Sequence, residues 1–274
     1  MHQPQPSTPS RGPALLHALA WCTVVPLGVL ATYFVIGSLI VTTTGGEPIL
    51  GTVVLGLVVL AVVVGLRLLR PRWLSYTPAA PPIPDPVRYA GLVALTLVLA
   101  FLAGQALALL LYTVFGSSGF DQASRTRAAA APGVVLLLTL VVAPASEEAL
   151  FRGLLYPLLR RRIPILVSAA VTATIFALMH ANIVQVAAAL PLALLAALVY
   201  ESTRSLWPVV LTHAVFNAIA MILPPSWLTL IVNPVTVVLL IGAFGVCAWL
   251  LWTRVSSRDT EDVVGRTSRG HTHQ

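Results

Sequence analysis

The chain has 274 residues, 58% of them hydrophobic and 9% charged, with a formal net charge of +7. A soluble protein carries roughly a quarter charged residues, so this chain cannot cover a water-facing surface. Composition excludes a soluble enzyme and points to a polytopic membrane protein. All 16 basic residues are arginines. They lie mainly between apolar runs, where they orient helices rather than contact nucleic acid. Cys22 and Cys247 fall in apolar stretches near opposite ends and suggest neither a disulfide framework nor a cysteine metal site.

A helix needs about twenty apolar residues to cross the hydrocarbon core. Eight stretches qualify, at 14–42, 48–69, 89–116, 132–159, 164–181, 183–201, 206–223 and 227–253. The expected fold is therefore all-α, a membrane bundle of about eight transmembrane helices. A polar tail at 1–13 leads into the first spans, which occupy 14–130 together with a Pro-rich linker at 71–86 that cannot be helical throughout. The first span is too long for a signal-peptide core and reads as a retained helix. A core follows at 131–223, then a last membrane helix at 224–253 and a polar tail at 254–274 that reads as disordered.

Arginine placement sets the expected orientation. Arg11, Arg67, Arg70, Arg72, Arg88, Arg160, Arg161, Arg162, Arg204, Arg254, Arg258, Arg266 and Arg269 fall on one side of an eight-span chain, and Arg125 and Arg127 on the other. The positive-inside rule then places both termini in the cytoplasm of a multi-pass plasma-membrane protein.

Chemistry concentrates in the core. Glu147 and Glu148 are the only acidic residues that interrupt an apolar helix, in LVVAPASEEALFRGLL. A charge at the bilayer centre costs at least ~2.5–3.5 kcal/mol, so this pair needs a role. Glu148 and Arg152 are i,i+4 and form a favourable helical ion pair. Glu147 lies about 100° further round and needs another partner. His180 ends IFALMH on the next span. Counted through an antiparallel hairpin centred near Arg162, it reaches within about 5 Å of the depth of Glu147. His213 and Asn217, in LTHAVFNAI, share one helical face. That pair suits interhelical hydrogen bonding worth on the order of 1 kcal/mol, or donors aimed at a developing oxyanion. Asn182 and Gln185 read as caps of the turn after His180. Pro144 is expected to interrupt its helix, with Ser146 capping a restart.

The three elements together, EExxxR (Glu147, Glu148, Arg152), FxxxH (Phe176, His180) and HxxxN (His213, Asn217), resemble the motifs of the CAAX prenyl protease and bacteriocin-processing family of intramembrane endopeptidases. The strings EEALFRGLLYPLLRR, FALMH and SLWPVVLTHAVFN carry the resemblance, which covers about residues 130–223. It implies hydrolysis of a peptide bond in a membrane-associated protein or peptide, prenylated or bacteriocin-like. Glu147 and His180 would activate water, His213 and Asn217 would be oxyanion donors, and Glu148, Arg152 and Phe176 would support them. The preferred reading needs no cofactor. HExxH is absent, yet Glu147, His180 and His213 would also suit a zinc ion with an open position, so a zinc-dependent version stays open. A non-proteolytic immunity or transport protein using the same polar core is the remaining alternative; no internal repeat supports transport.

Depth counting adds one expectation. His213 lies about 10 Å into its span, whereas Glu147 and His180 lie about 22–27 Å from their hairpin tip. The groups meet only if that hairpin projects beyond the membrane, which would leave Leu155 and Leu159 open to cytoplasmic water.

Overall fold

The computed structural model describes residues 11–74, 83–223, 226–229 and 232–270, excepting the side chains of 11–18, 72–73, 226 and 256–270. It is all-helical, with no strand among the described residues. The helices are α1 (Arg11–Thr43), α2 (Pro48–Leu69), α3 (Pro86–Phe115), α4 (Ser118–Ala129), α5 (Pro132–Arg160), α6 (Ile165–Leu178), α7 (Ile183–Thr203), α8 (Leu206–Ile222) and α9 (Pro234–Gly270). Single helical turns at Pro71–Leu74 and Ser226–Thr229 accompany them. Six of these helices, α1, α2, α3, α5, α7 and α9, are long and apolar enough to cross a membrane. The two other expected spans, α6 and α8, are shorter apolar helices of 14 and 17 residues.

Helix starts follow local chemistry. Pro48, Pro86 and Pro132 occupy first-turn positions where the missing N–H costs nothing. Asp85, Ser117, Asn182 and Asn233 each accept a backbone N–H three residues on. Two elements differ from the sequence reading. The polar α4 was not anticipated, because it has no apolar run. The last helix starts at Pro234 rather than 227, where Asn233 caps it. It also continues helical to Gly270 through a stretch expected to be disordered; no Gly or Pro between Arg254 and Val264 breaks it. Most of the Pro-rich linker and the His271–His273 tail lie outside the described residues.

The innermost helix is α7, packed on α3, α6, α8 and α9. Ala193, Leu195, Ala196 and Ala197 on it are fully buried. Small residues permit this closeness, which replaces the hydrophobic drive that lipid removes. At the tightest crossing, a Cβ added to Gly104 of α3 would lie 2.6 Å from the Ala188 backbone oxygen of α7. A backbone atom cannot rotate away. Gly104→Ala is expected to cost about 1–3 kcal/mol through forced separation of the helices. Thermal unfolding in detergent measures it, and an unchanged midpoint would contradict the crossing.

The α5–α6 hairpin corrects one expectation. Leu155 and Leu159 are fully buried, in a cluster with Phe151, Ile163, Phe176 and Ala193. They are not open to water. The carboxylate of Glu201 on α7 is buried against the same hairpin. It accepts hydrogen bonds from Tyr156 Oη (2.8 Å), Arg160 Nε (3.2 Å) and Arg204 Nη2 (2.6 Å). Glu201 thus ties the end of α5 to the turn between α7 and α8.

Candidate active site

The carboxylates ride on α5, which is not a uniform α-helix. It carries π turns at Leu138–Val142 and Ala149–Leu155, with α-helical geometry over Ala143–Glu148 between them. Such bulges insert an extra residue and rotate everything beyond them. Pro144 therefore does not stop the helix, and Ser146 does not cap a restart. The Ser146 hydroxyl donates back to the Val142 carbonyl at 2.7 Å. On the other side α2 lies close enough that a Cβ on Gly56 would meet Val142 Cγ1 at 2.6 Å.

A buried ionic chain runs across the site. Arg152 Nη1 lies 2.9 Å from Glu148 Oε2, and both side chains have 0% exposure. That contact is an ion pair without hydrogen-bond alignment. Arg152 Nη2 donates to the Ala193 carbonyl of α7, anchoring the pair to the innermost helix. The other Glu148 oxygen, Oε1, is 2.8 Å from His213 Nδ1. A carboxylate only accepts, so Nδ1 carries the proton and Nε2 is left to face inward. His213 Nε2 lies 3.8 Å from Glu147 Oε2, too far for a direct hydrogen bond.

Glu147 differs from Glu148 in access. Its side chain is 15% exposed and has both His213 and His180 within electrostatic range. His180 is half-buried just beyond the end of α6. Its Nδ1 lies 3.3 Å from the Phe176 carbonyl, so the proton sits on Nδ1 and Nε2 is free to accept. The next residue, Ala181, has φ of 58°, a left-handed conformation rare for a residue with a Cβ. Asn182 braces that turn by donating to the His180 carbonyl at 3.0 Å.

Phe176 is the hub. Its ring centroid is 5.6 Å from that of His180, 5.7 Å from that of His213 and 5.2 Å from that of Phe151, with the Arg152 guanidinium carbon 5.2 Å away. One aromatic ring thus fixes both imidazoles and covers the buried cation. Asn217 sits one turn beyond His213, and its Nδ2 donates to the Thr139 carbonyl of α5 at 2.9 Å. One amide N–H is thereby committed to backbone. Among the described residues, no three His, Cys, Asp or Glu side chains are grouped so as to hold a metal ion.

The structure thus gathers the three sequence motifs at one place, from α5, α6 and α8. Residues 129–219 match the family model described as Type II CAAX prenyl endopeptidase Rce1-like. The family resemblance holds for this core. The match begins just before α5 and ends just past Asn217, so it spans the whole ionic chain and both histidines. No curated protein and no solved structure matches the chain.

The CAAX-protease-like core also receives residues that the sequence did not single out. Tyr33 of α1 packs against the cluster containing Phe151 and Phe176, and lies within electrostatic range of Glu147. Nothing in the surrounding apolar run marks it. Thr139 contributes only its carbonyl, which no side-chain motif reveals.

Proposed function

We propose that the chain is an intramembrane endopeptidase of CAAX type that hydrolyses a peptide bond of a membrane-associated protein through glutamate-activated water, without a metal. The carrying observation is the difference between the two adjacent carboxylates. Glu148 is locked between Arg152 and His213, whereas Glu147 is partly open beside two histidines. A locked carboxylate cannot exchange protons with substrate; an open one can.

In this mechanism His180 Nε2 positions a water and Glu147 takes its proton as the oxygen attacks the scissile carbonyl carbon. The carbonyl π electrons move onto oxygen, where the Nε2–H of His213 in its doubly protonated form and the remaining amide N–H of Asn217 stabilise the charge. Collapse re-forms the carbonyl and breaks the C–N bond, and Glu147 returns the proton to the departing amine. Glu148 acts through His213, holding its Nδ1–H and balancing the charge of the doubly protonated ring. Arg152 neutralises Glu148. In this reading, supported by the arginine distribution, both termini lie on the cytoplasmic side of the plasma membrane, with the lipid bilayer as the immediate partner.

The test uses purified protein with a farnesylated reporter peptide carrying a cysteine near its C-terminus. Hydrolysis that survives mild chelation, with substoichiometric zinc in the preparation, is the expected result. Stoichiometric zinc that disappears in His180→Ala together with activity would overturn the metal-free mechanism.

A further inference from the structure

The π turn at Leu138–Val142 leaves a backbone acceptor without a helical donor. Ala143 N–H is spent on the Leu138 carbonyl, five residues back. The next carbonyl, Thr139, would take Ala143 in α register or residue 144 in π register. The first is already engaged and the second is proline, which has no N–H. Inside a membrane an unpaired carbonyl is expensive, and no bulk water is there to relieve it. Asn217 Nδ2 of α8 fills this position at 2.9 Å.

A parallel arrangement occurs at the second bulge. The turn at Ala149–Leu155 closes with Tyr156 N–H on the Phe151 carbonyl. Pro157 follows and brings no N–H to the Gly153 carbonyl in α register. There Arg67 Nη2 of α2 approaches the Gly153 oxygen at 3.4 Å. Each bulge is thus followed by a proline, and each has a carbonyl met by a side chain from another helix.

From this geometry we infer that Asn217 is a positioning residue for Glu147: its amide replaces the N–H that Pro144 lacks and so holds the bulge that rotates Glu147 toward His180 and His213. Glu147 lies only five residues past the bulge, on the short α-helical segment that it orients. A bulge inserts one residue, equivalent to about 100° of rotation, so losing it would carry the carboxylate off this face. The inference rests on the protease reading only for what the rotation does to activity.

The two roles open to Asn217 give opposite answers in a double-variant cycle. A residue that serves only as oxyanion donor is not replaced by anything on the α5 backbone. A residue that substitutes for the Pro144 N–H is replaced by restoring that N–H. Asn217→Ala is expected to lower the thermal midpoint in detergent by a few °C and kcat on the farnesylated reporter by roughly tenfold. Pro144→Ala/Asn217→Ala, in which residue 144 again offers an N–H to Thr139, is expected to recover most of the loss in midpoint and the part of the kcat loss that comes from the displaced Glu147, while the part owed to the second amide N–H of Asn217 remains lost. If Asn217→Ala does not accumulate in membranes, recovered abundance of the double variant supplies the same result. No recovery in midpoint, abundance or kcat would overturn the inference. Should even the unaltered chain leave the reporter uncut, the protease reading is what suffers, while the thermal cycle still decides the Asn217–Thr139 claim.

Discussion

Glu147→Gln is expected to lower peptide hydrolysis by roughly two orders of magnitude or more. The substitution preserves volume and most hydrogen bonding at a side chain that is 15% exposed, and it removes only the basic oxygen. The approach of Glu147 to His213 Nε2, at 3.8 Å, is too long to be a direct hydrogen bond. Folding should therefore tolerate the amide. Membrane abundance and thermal midpoint are expected to stay near those of the unaltered chain while kcat falls. Equal hydrolysis at equal abundance would remove Glu147 from the mechanism.

Glu148→Gln is expected to act in the opposite sense, on stability first. It leaves the Arg152 guanidinium, with 0% exposure, facing a neutral amide. Breaking one half of a buried ion pair costs about 3–5 kcal/mol because the other charge stays uncompensated. That is a large share of the ~5–15 kcal/mol that holds a typical domain folded. The variant should accumulate poorly and melt early. Arg152→Met strands the negative partner instead, though His213 Nδ1 at 2.8 Å still satisfies one oxygen of Glu148. The double variant Glu148→Gln/Arg152→Met carries no buried charge of either sign from this pair and should be more stable than Glu148→Gln alone. A Glu148→Gln midpoint equal to that of the unaltered chain would contradict the ion-pair account.

Composition made the all-helical membrane architecture legible, because a chain this apolar has few other ways to satisfy its backbone. Helical spacing exposed the Glu148–Arg152 pair, and the hairpin count brought Glu147 and His180 to one depth. What spacing could not show was register. The first π turn of α5 is met by Asn217, 78 positions away in sequence from Thr139; no local pattern encodes that partner. Depth counting alone gives the expectation of water-facing Leu155 and Leu159, which the structure buries, because it ignores the neighbouring helices that pack against them. Glu201 stands near the end of an apolar run with no motif around it, yet it binds Tyr156, Arg160 and Arg204. Its partners are up to 45 residues distant in sequence, beyond the reach of an i,i+4 argument. The polar α4 was missed for the converse reason: hydropathy looks for apolar runs, and this helix has none.

The central claim is that this chain cuts membrane-associated proteins with Glu147. Its most direct measurement compares protein termini in membrane fractions from cells expressing the unaltered chain with those expressing Glu147→Gln at equal abundance. A defined set of membrane proteins should be shortened in the first and intact in the second, with new termini at a shared type of site. Identical termini across the two membrane proteomes would contradict the account.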